Sequence, residues 1–298
     1  MRCLILGAGG QIGAHVMAAS QSKRHLVQGT WYCRPLSGGV AMDVRDHEAV
    51  RDVVSDFQPD VIYHLAGLSQ IDYAETQPRE CRDIALTGMA NVIRAARSVD
   101  ARIVMTSSDQ VFGECKLSKR EDDASEPMNI YGATQAETES LLRSEMPAEH
   151  LIVRTASVFG SHDLPRNPVL HALRRMHDGH CVTAARNRQT QPTYAPDLAT
   201  AMVELASRNE SGTVHIVGPD RMTEAAFLKQ VAFINGCDSD LIASVPAEAL
   251  CEDAPRPLTP WLDRMKMRTL LGPTAVRSLG EGLRAMRDQK QVAMRVAA

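Results

Sequence analysis

The chain has 298 residues, 44% of them apolar, and a formal net charge of −3. That length and apolar share suit one large core or two modest ones. A near-neutral balance without a run of like charge excludes the electrostatic footprint of a nucleic-acid or anionic-membrane binder. Cysteines at Cys3, Cys33, Cys81, Cys115, Cys181, Cys237 and Cys251 stand singly, with no Cys-x-x-Cys spacing, which argues against a disulfide framework or a zinc site. No segment approaches the roughly 18 consecutive apolar residues of a membrane span, and the apolar run Cys3 to Leu6 breaks at Gly7 without a cleavage pattern, so a cytoplasmic location is expected.

In chain order, short apolar runs alternate with helical periodicity. Arg2 to Leu6 reads as a strand and is followed by a helix from about Gln11. Val61 to Leu65 follows the helical stretch Val50 to Asp56, and Ile103 to Thr106 follows one around Ala90 to Ser98. Leu151 to Arg154 comes after the helical run Ala136 to Glu145. Repeated strand-helix units predict an α/β fold of the Rossmann type, a doubly wound parallel sheet covered on both faces. Pro165, Pro168, Pro192 and Pro196 punctuate the second half, Thr213 to Val217 reads as a further strand, and helices dominate beyond Pro219. The expected division is a dinucleotide-binding domain of 1–157 plus about 183–218, interleaved with a smaller C-terminal substrate domain of about 158–182 plus 219–298. The tail after Gly282 is a basic helical pattern, read as a solvated face.

Gly7-Ala8-Gly9-Gly10-Gln11-Ile12-Gly13 lies between the first strand and the first helix, the context that gives a glycine pattern its meaning. Gly7 permits a tight turn, Gly10 lets the backbone approach a pyrophosphate, and Gly13 allows close helix packing, with the helix dipole facing the phosphates. NAD sites commonly carry an acidic residue at the end of the second strand, whereas an arginine there suits a 2′-phosphate. Between His25 and Met42 there is no Asp or Glu but there is Arg34, so NADP is expected, with NAD the alternative. Asp43 and Val44 are expected beside the adenine, and Leu65, Ala66 and Gly67 along the cofactor's path.

The G-x-x-G-x-x-G spacing, the Ser107-Ser-Asp-Gln-Val-Phe-Gly113 run, Pro127-x-Asn-x-Tyr-Gly132, Arg154-Thr-x-x-Val-Phe-Gly160, Pro192-Thr-Tyr-x-x-Asp-Leu-Ala199 and Arg256-Pro-x-x-x-x-Leu262 together resemble the extended short-chain dehydrogenase/reductases. The chain is similar to the dTDP-4-dehydrorhamnose reductases and their relative, the regulatory β-subunit of methionine adenosyltransferase. The resemblance implies Tyr131 as proton donor and Ser108 as ligand of the substrate carbonyl. The chemistry agrees: a ketone becoming an alkoxide needs a proton, and the hydride comes from the nicotinamide. It also implies a nucleotide-linked 4-keto-6-deoxy sugar as the small-molecule substrate, and it is compatible with a homodimer.

The family's lysine four residues after the tyrosine is here Gln135, one helical turn on, an amide that can hydrogen-bond a ribose but brings no charge. Lys116, Lys119 and Arg120 are the cations of the preceding loop. The family's asparagine aligns with Ala85, and the tyrosine usual after Ser-x-Asp is Gln110. Catalytic residues are therefore expected to be Ser108, Tyr131 and Gln135, with Asp109, Asn167 and Arg256 toward the substrate and Arg166 and Arg186 as further anion-binding candidates. His64 reads as a packed strand-end histidine. The alternative functions are an NADP-binding regulatory or impaired reductase homologue that acts through a protein partner, and, more remotely, a dehydratase or epimerase, in which Asp109 would serve.

Overall fold

The computed structural model describes residues 1–161 and 167–296, so Arg166 lies outside the described residues. Strands β1 (Arg2–Leu6), β2 (Leu26–Trp31), β3 (Val40–Ala41), β4 (Val61–His64), β5 (Arg102–Ser108) and β6 (His150–Thr155) alternate with helices α1 (Gln11–Ser22), α2 (His47–Phe57), α3 (Ile71–Thr76), α4 (Pro78–Arg82), α5 (Gly88–Arg97) and α6 (Ile130–Glu145). The second half holds β7 (Val158–Phe159), α7 (Pro168–His177), β8 (Val182–Ala185), β9 (Gln189–Thr190), β10 (Thr193–Tyr194), α8 (Ala195–Ser207) and β11 (Gly212–His215). After these come β12 (Met222–Thr223), α9 (Glu224–Asn235), β13 (Ile242–Val245), α10 (Met265–Leu271) and α11 (Leu279–Val296).

Among the described residues, seven parallel strands form one sheet in the order β11-β6-β5-β4-β1-β2-β3. The apolar runs are continuous because both faces are covered, and the pleat divides them by alternate residues. Cys3, Ile5, Val61, Tyr63, Val104 and Val153 pack toward α8, while Leu4, Leu6, Ile62, Ile103, Met105 and Ile152 pack toward α2 and α5. Asp46 starts α2 by accepting from the amides of Glu48 and Ala49 at 3.0 and 3.1 Å, a side-chain N-cap. The chain builds outward from β1 to β3 and then crosses back to β4, so the strand order reverses between β1 and β4. Ligands of open parallel sheets bind at the carboxyl ends of the strands at such a point.

A second core gathers Phe159, Leu170, Leu173, Tyr194, Val231 and Leu283 under α7, α9 and α11. Two expectations are corrected here. β8 pairs in parallel with β13, so the start of the 183–218 stretch sits with this smaller body rather than with the sheet. The helix after Gly282 is also no mere solvated face, because Leu283 and Met286 are buried and a Cβ at Gly282 would stand 2.9 Å from the Phe159 ring. Arg284 is exposed and Arg287 half-buried on the same helix.

Candidate active site

The glycine turn between β1 and α1 is dictated by steric exclusion. Gly7 has φ +83°, and a Cβ there would lie 2.8 Å from the Ala66 amide nitrogen and the Leu65 carbonyl. A Cβ on Gly13 would lie 2.3 Å from the Gly7 carbonyl, so the first turn of α1 rests directly on the loop. Gly10 donates its amide to Gly7 O at 3.0 Å and stands at the N-cap of α1 with no side-chain cap. Backbone donors therefore remain open at a helix N-terminus, which favours a phosphate. The buried side-chain amide nitrogen of Gln11 has no hydrogen-bond partner among the described residues. Ile12 is half-buried, and Gly67 at the end of β4 faces open space.

Arg34 lies against this turn, since a Cβ on Gly9 would be 3.2 Å from its carbonyl. Asp43 is occupied: Arg45 holds it with a guanidinium contact of 2.6 Å and drives its carboxyl below the usual range through hydrogen bonds that outweigh burial. Arg45 also spans the ring of Tyr32, 6.0 Å from its centroid. Val44 is buried under Gly88 of α5, and its carbonyl accepts from the Asn91 amide at 3.1 Å.

At the end of β5 the Ser108 hydroxyl donates to Asp109 Oδ1 at 2.8 Å and accepts from the Gln110 amide at 3.2 Å, starting a single helical turn over Asp109–Val111. The helix that carries Tyr131 is laid directly on that turn. A Cβ on Gly132 would be 1.9 Å from the Gln110 carbonyl, so only glycine permits the approach. Asn129 caps α6 by accepting from the Gly132 amide at 2.8 Å, and its own amide reaches Gln110 Oε1 at 3.0 Å and the Pro255 carbonyl at 2.9 Å. The cap is legible from an asparagine just before a helix. Its clasp on Pro255, far along the chain, has no local signal.

This packing brings Tyr131 close enough to Ser108 and Gln135 for both side chains to act on its phenol. Burial pushes the Tyr131 phenol up to about 12, with the Asp109 charge adding to the rise and the bonds to Ser108 and Gln135 opposing it. Burial likewise lifts the Asp109 carboxyl to about 6, against hydrogen bonds from Ser108 and Gln110. A phenol so placed stays protonated at neutral pH and serves as an acid.

The cations of the loop before α6 do not replace the missing lysine. Lys119 lies over the Phe112 ring at 5.6 Å and within 3.8 Å of Glu126, the Arg120 amide is tied to Asp123 at 2.7 Å, and Lys116 is exposed. Ala85 sits in a π-helical turn, Asp83–Thr87, between α4 and α5. Such turns recur at functional sites, yet a methyl group here offers no polar contact. His64 is buried at the end of β4, with burial pulling its imidazole down to about 4, so it is neutral.

On the substrate side two of the expected residues have partners within the chain. Asn167 is 1% exposed and spent on the chain, accepting from the Leu170 amide at 3.2 Å as the cap of α7 and donating to Gly160 O at 2.8 Å. Arg256 is neutralised by Asp72 at 2.8 Å and Glu252 at 2.9 Å, so an incoming anion would have to displace a carboxylate. Arg186 is exposed, and its amide bonds to Val245 O at 2.8 Å. Sequence reasoning passed over Arg188, which is buried and gripped by Glu224 at 2.7 Å and Glu252 at 2.6 Å.

The residues fit a dinucleotide: the glycine cradle that a Cβ would fill, open amides at the start of α1 and an unpartnered Gln11 amide all lie at the sheet's switch point. This parallel sheet and turn make the fold that of a Rossmann-type short-chain dehydrogenase/reductase. The chain belongs to the family described as the RmlD substrate binding domain, whose model matches residues 1–291. It is 26% identical over 260 residues to a dTDP-4-dehydrorhamnose reductase of Mycolicibacterium smegmatis, covering 86% of this chain and 76% of that one. It is 26% identical over 283 residues to methionine adenosyltransferase 2 subunit beta of Xenopus laevis, covering 90% and 82%. A dTDP-4-dehydrorhamnose reductase structure from Clostridium acetobutylicum superposes with a TM-score of 0.87 at 26% identity, over 98% of this chain and 100% of that one. The same fold, at 24% identity and TM-score 0.87 over 97% and 99%, is seen in the Bacillus anthracis dTDP-4-dehydrorhamnose reductase in complex with NADP.

Proposed function

We propose that this protein is an NADP-dependent reductase of a nucleotide-linked 4-keto-6-deoxy sugar. The observation that carries the reading is the packing of Gly132 on Gln110, which sets the Tyr131 phenol beside Ser108 in a chain whose relatives include dTDP-4-dehydrorhamnose reductases. NADPH, when bound, supplies the hydride. The Gly7 to Gly13 turn holds the pyrophosphate, Arg34 the 2′-phosphate and Gln135 the nicotinamide ribose. Tyr131 gives its proton to the carbonyl oxygen, and Ser108 holds that oxygen. The test is loss of NADPH absorbance with a panel of 4-keto-6-deoxy sugar nucleotides. Turnover supports the reading, and tight NADPH binding without any oxidation refutes it.

Arg34 makes the cofactor choice testable by itself. A charge-assisted contact contributes about 1.5–3 kcal/mol, so Arg34→Ala should weaken NADPH about ten- to a hundredfold and leave NADH binding unchanged, as read by fluorescence titration. Equal losses for both cofactors would remove Arg34 from the 2′-phosphate.

One observation favours a second reading. Gln135 brings the phenol no charge, which suits a dinucleotide-binding homologue with little turnover that acts on a partner protein, and the relatives named methionine adenosyltransferase 2 subunit beta fit it. Homodimerisation and a cytoplasmic location complete the proposal; no described helix is long and apolar enough to cross a membrane.

A further inference from the structure

We propose that the carboxyl end of β11 carries a second anion site, formed by Arg264, Trp261 and Arg221, which takes a phosphate group. The site is independent of the reductase reading. Its basis is an unanswered positive charge. Arg154, Arg188 and Arg256 are each matched by carboxylates: Glu139 at 2.7 Å, Glu224 and Glu252 at 2.7 and 2.6 Å, and Asp72 at 2.8 Å. Arg264 is half-buried as well, yet among the described residues it forms no ion pair. Asp220, which acts on it from farther off, accepts from the Leu279 amide at 2.6 Å.

Two contacts lay the segment 217–221 against 261–264. Arg264 Nε donates to the Val217 carbonyl at 3.0 Å, and the Arg221 guanidinium stands 4.6 Å from the centre of the Trp261 ring. On this seam two buried nitrogens, Arg264 Nη2 and Trp261 Nε1, have no hydrogen-bond partner among the described residues. Guanidinium and indole only donate, so the group that answers them is an acceptor. A withdrawn guanidinium without a counter-charge is also costly, so that acceptor is an anion. Arg268 adds to the local charge one helical turn on, its amide bonded to the Arg264 carbonyl at 3.0 Å. Burial pulls the Arg264 guanidinium below its ordinary range, and the charges of Arg268 and Arg221 push the same way.

The planar fork of an arginine matches the oxygens of a phosphate, which selects an oxyanion over a halide. An indole N–H beside it supplies a further donor, and neither a cation nor an acceptor-poor sugar suits such a set. Arg221 is exposed and covers the indole face, so rotation of its side chain opens the two buried donors to a ligand. β11 is the outer strand of the sheet, and β1 with its glycine turn lies four strands away. The site is therefore separate from the cradle of the dinucleotide's pyrophosphate.

Trp31 and Trp261 are the two tryptophans of the chain, so Trp31→Phe leaves Trp261 as the single indole reporter. In that full-length protein, with NADP saturating so that the glycine turn is filled, inorganic phosphate at constant ionic strength should shift the indole emission in a saturable manner. Sodium chloride should not. Adding Arg264→Gln should raise the half-saturation about tenfold or more, the effect of one charge-assisted contact. Arg221→Ala, a change to an exposed side chain, should raise it as well. Glycerol 3-phosphate separates the two sources of the ligand: binding tighter than inorganic phosphate assigns the site to a phosphate ester, and equal or weaker binding assigns it to the free ion. A phosphate response no larger than that of chloride overturns the site, and so does an unchanged half-saturation in Arg264→Gln. Should Arg264→Gln fail to fold, an unchanged half-saturation in Arg221→Ala overturns it equally.

Discussion

Replacing Gln135 with lysine should raise turnover about ten- to a thousandfold. The phenol of Tyr131 ionises near 12 because it is buried beside a carboxylate. A cation within about 4–6 Å lowers such a group by roughly 1–3 units, equivalent to about 1.4–4 kcal/mol of the barrier if the full shift is felt in the transition state. Gln135 stands one helical turn after Tyr131 on α6 and already acts on the phenol, so a lysine there needs no change of backbone. The gain should appear in kcat with KM for NADPH nearly constant, since the added charge acts on the proton in flight. A variant that binds NADPH as before and turns over no faster would point to a site adapted to something other than reduction.

The largest loss of stability is expected from Glu139→Gln, and a smaller one from Arg154→Met. Arg154 and Glu139 are both buried, joined by two hydrogen bonds of 2.9 and 2.7 Å, and the guanidinium also lies 4.9 Å from the centre of the Phe112 ring. Removing Glu139 strands the Arg154 charge in a medium that cannot solvate it, which costs about 3–5 kcal/mol; removing Arg154 costs less, because Glu139 keeps Arg143 at 3.1 Å. That is a large share of the roughly 5–15 kcal/mol available to a folded protein. His215, 3.4 Å from Arg154, gives no relief, because burial and the guanidinium hold it down to about 3 and hence neutral. The pair ties α6, two turns after Tyr131, to β6, so the variants should also lose activity. Glu139→Leu combined with Arg154→Met should recover most of the stability, since no charge is then left alone. Denaturant titration checks this; a loss below about 1 kcal/mol in Glu139→Gln would show the pair to be solvated.

Much of the sheet was legible because a parallel strand covered on both faces must be largely apolar, as in Val61 to Tyr63 and Leu151 to Val153. The glycine turn was legible for the same reason of sterics, each glycine being demanded by a backbone atom within 3 Å or so. What stayed hidden depends on partners far apart in sequence. Nothing local tells that Asn129 clasps Pro255 or that Arg188 binds Glu224 and Glu252. Arginine-rich periodicity in α11 masked the burial of Leu283 and Met286, and the pairing of β8 with β13 joins two short strands that carry no matching signal. Arg256 reads as an anion ligand until Asp72, brought in from another element, neutralises it.

The most direct measurement follows deuteride from C4-deuterated NADPH during incubation with a dTDP-linked 4-keto-6-deoxy sugar, comparing the unmodified chain with Tyr131→Phe. Deuterium should appear on the carbinol carbon of the product in the first case and be lost about a hundredfold or more in the second, the range of general-acid catalysis. Equal incorporation by both proteins, or none by either at saturating NADPH, would contradict the assignment of Tyr131 as the proton donor of a reductase.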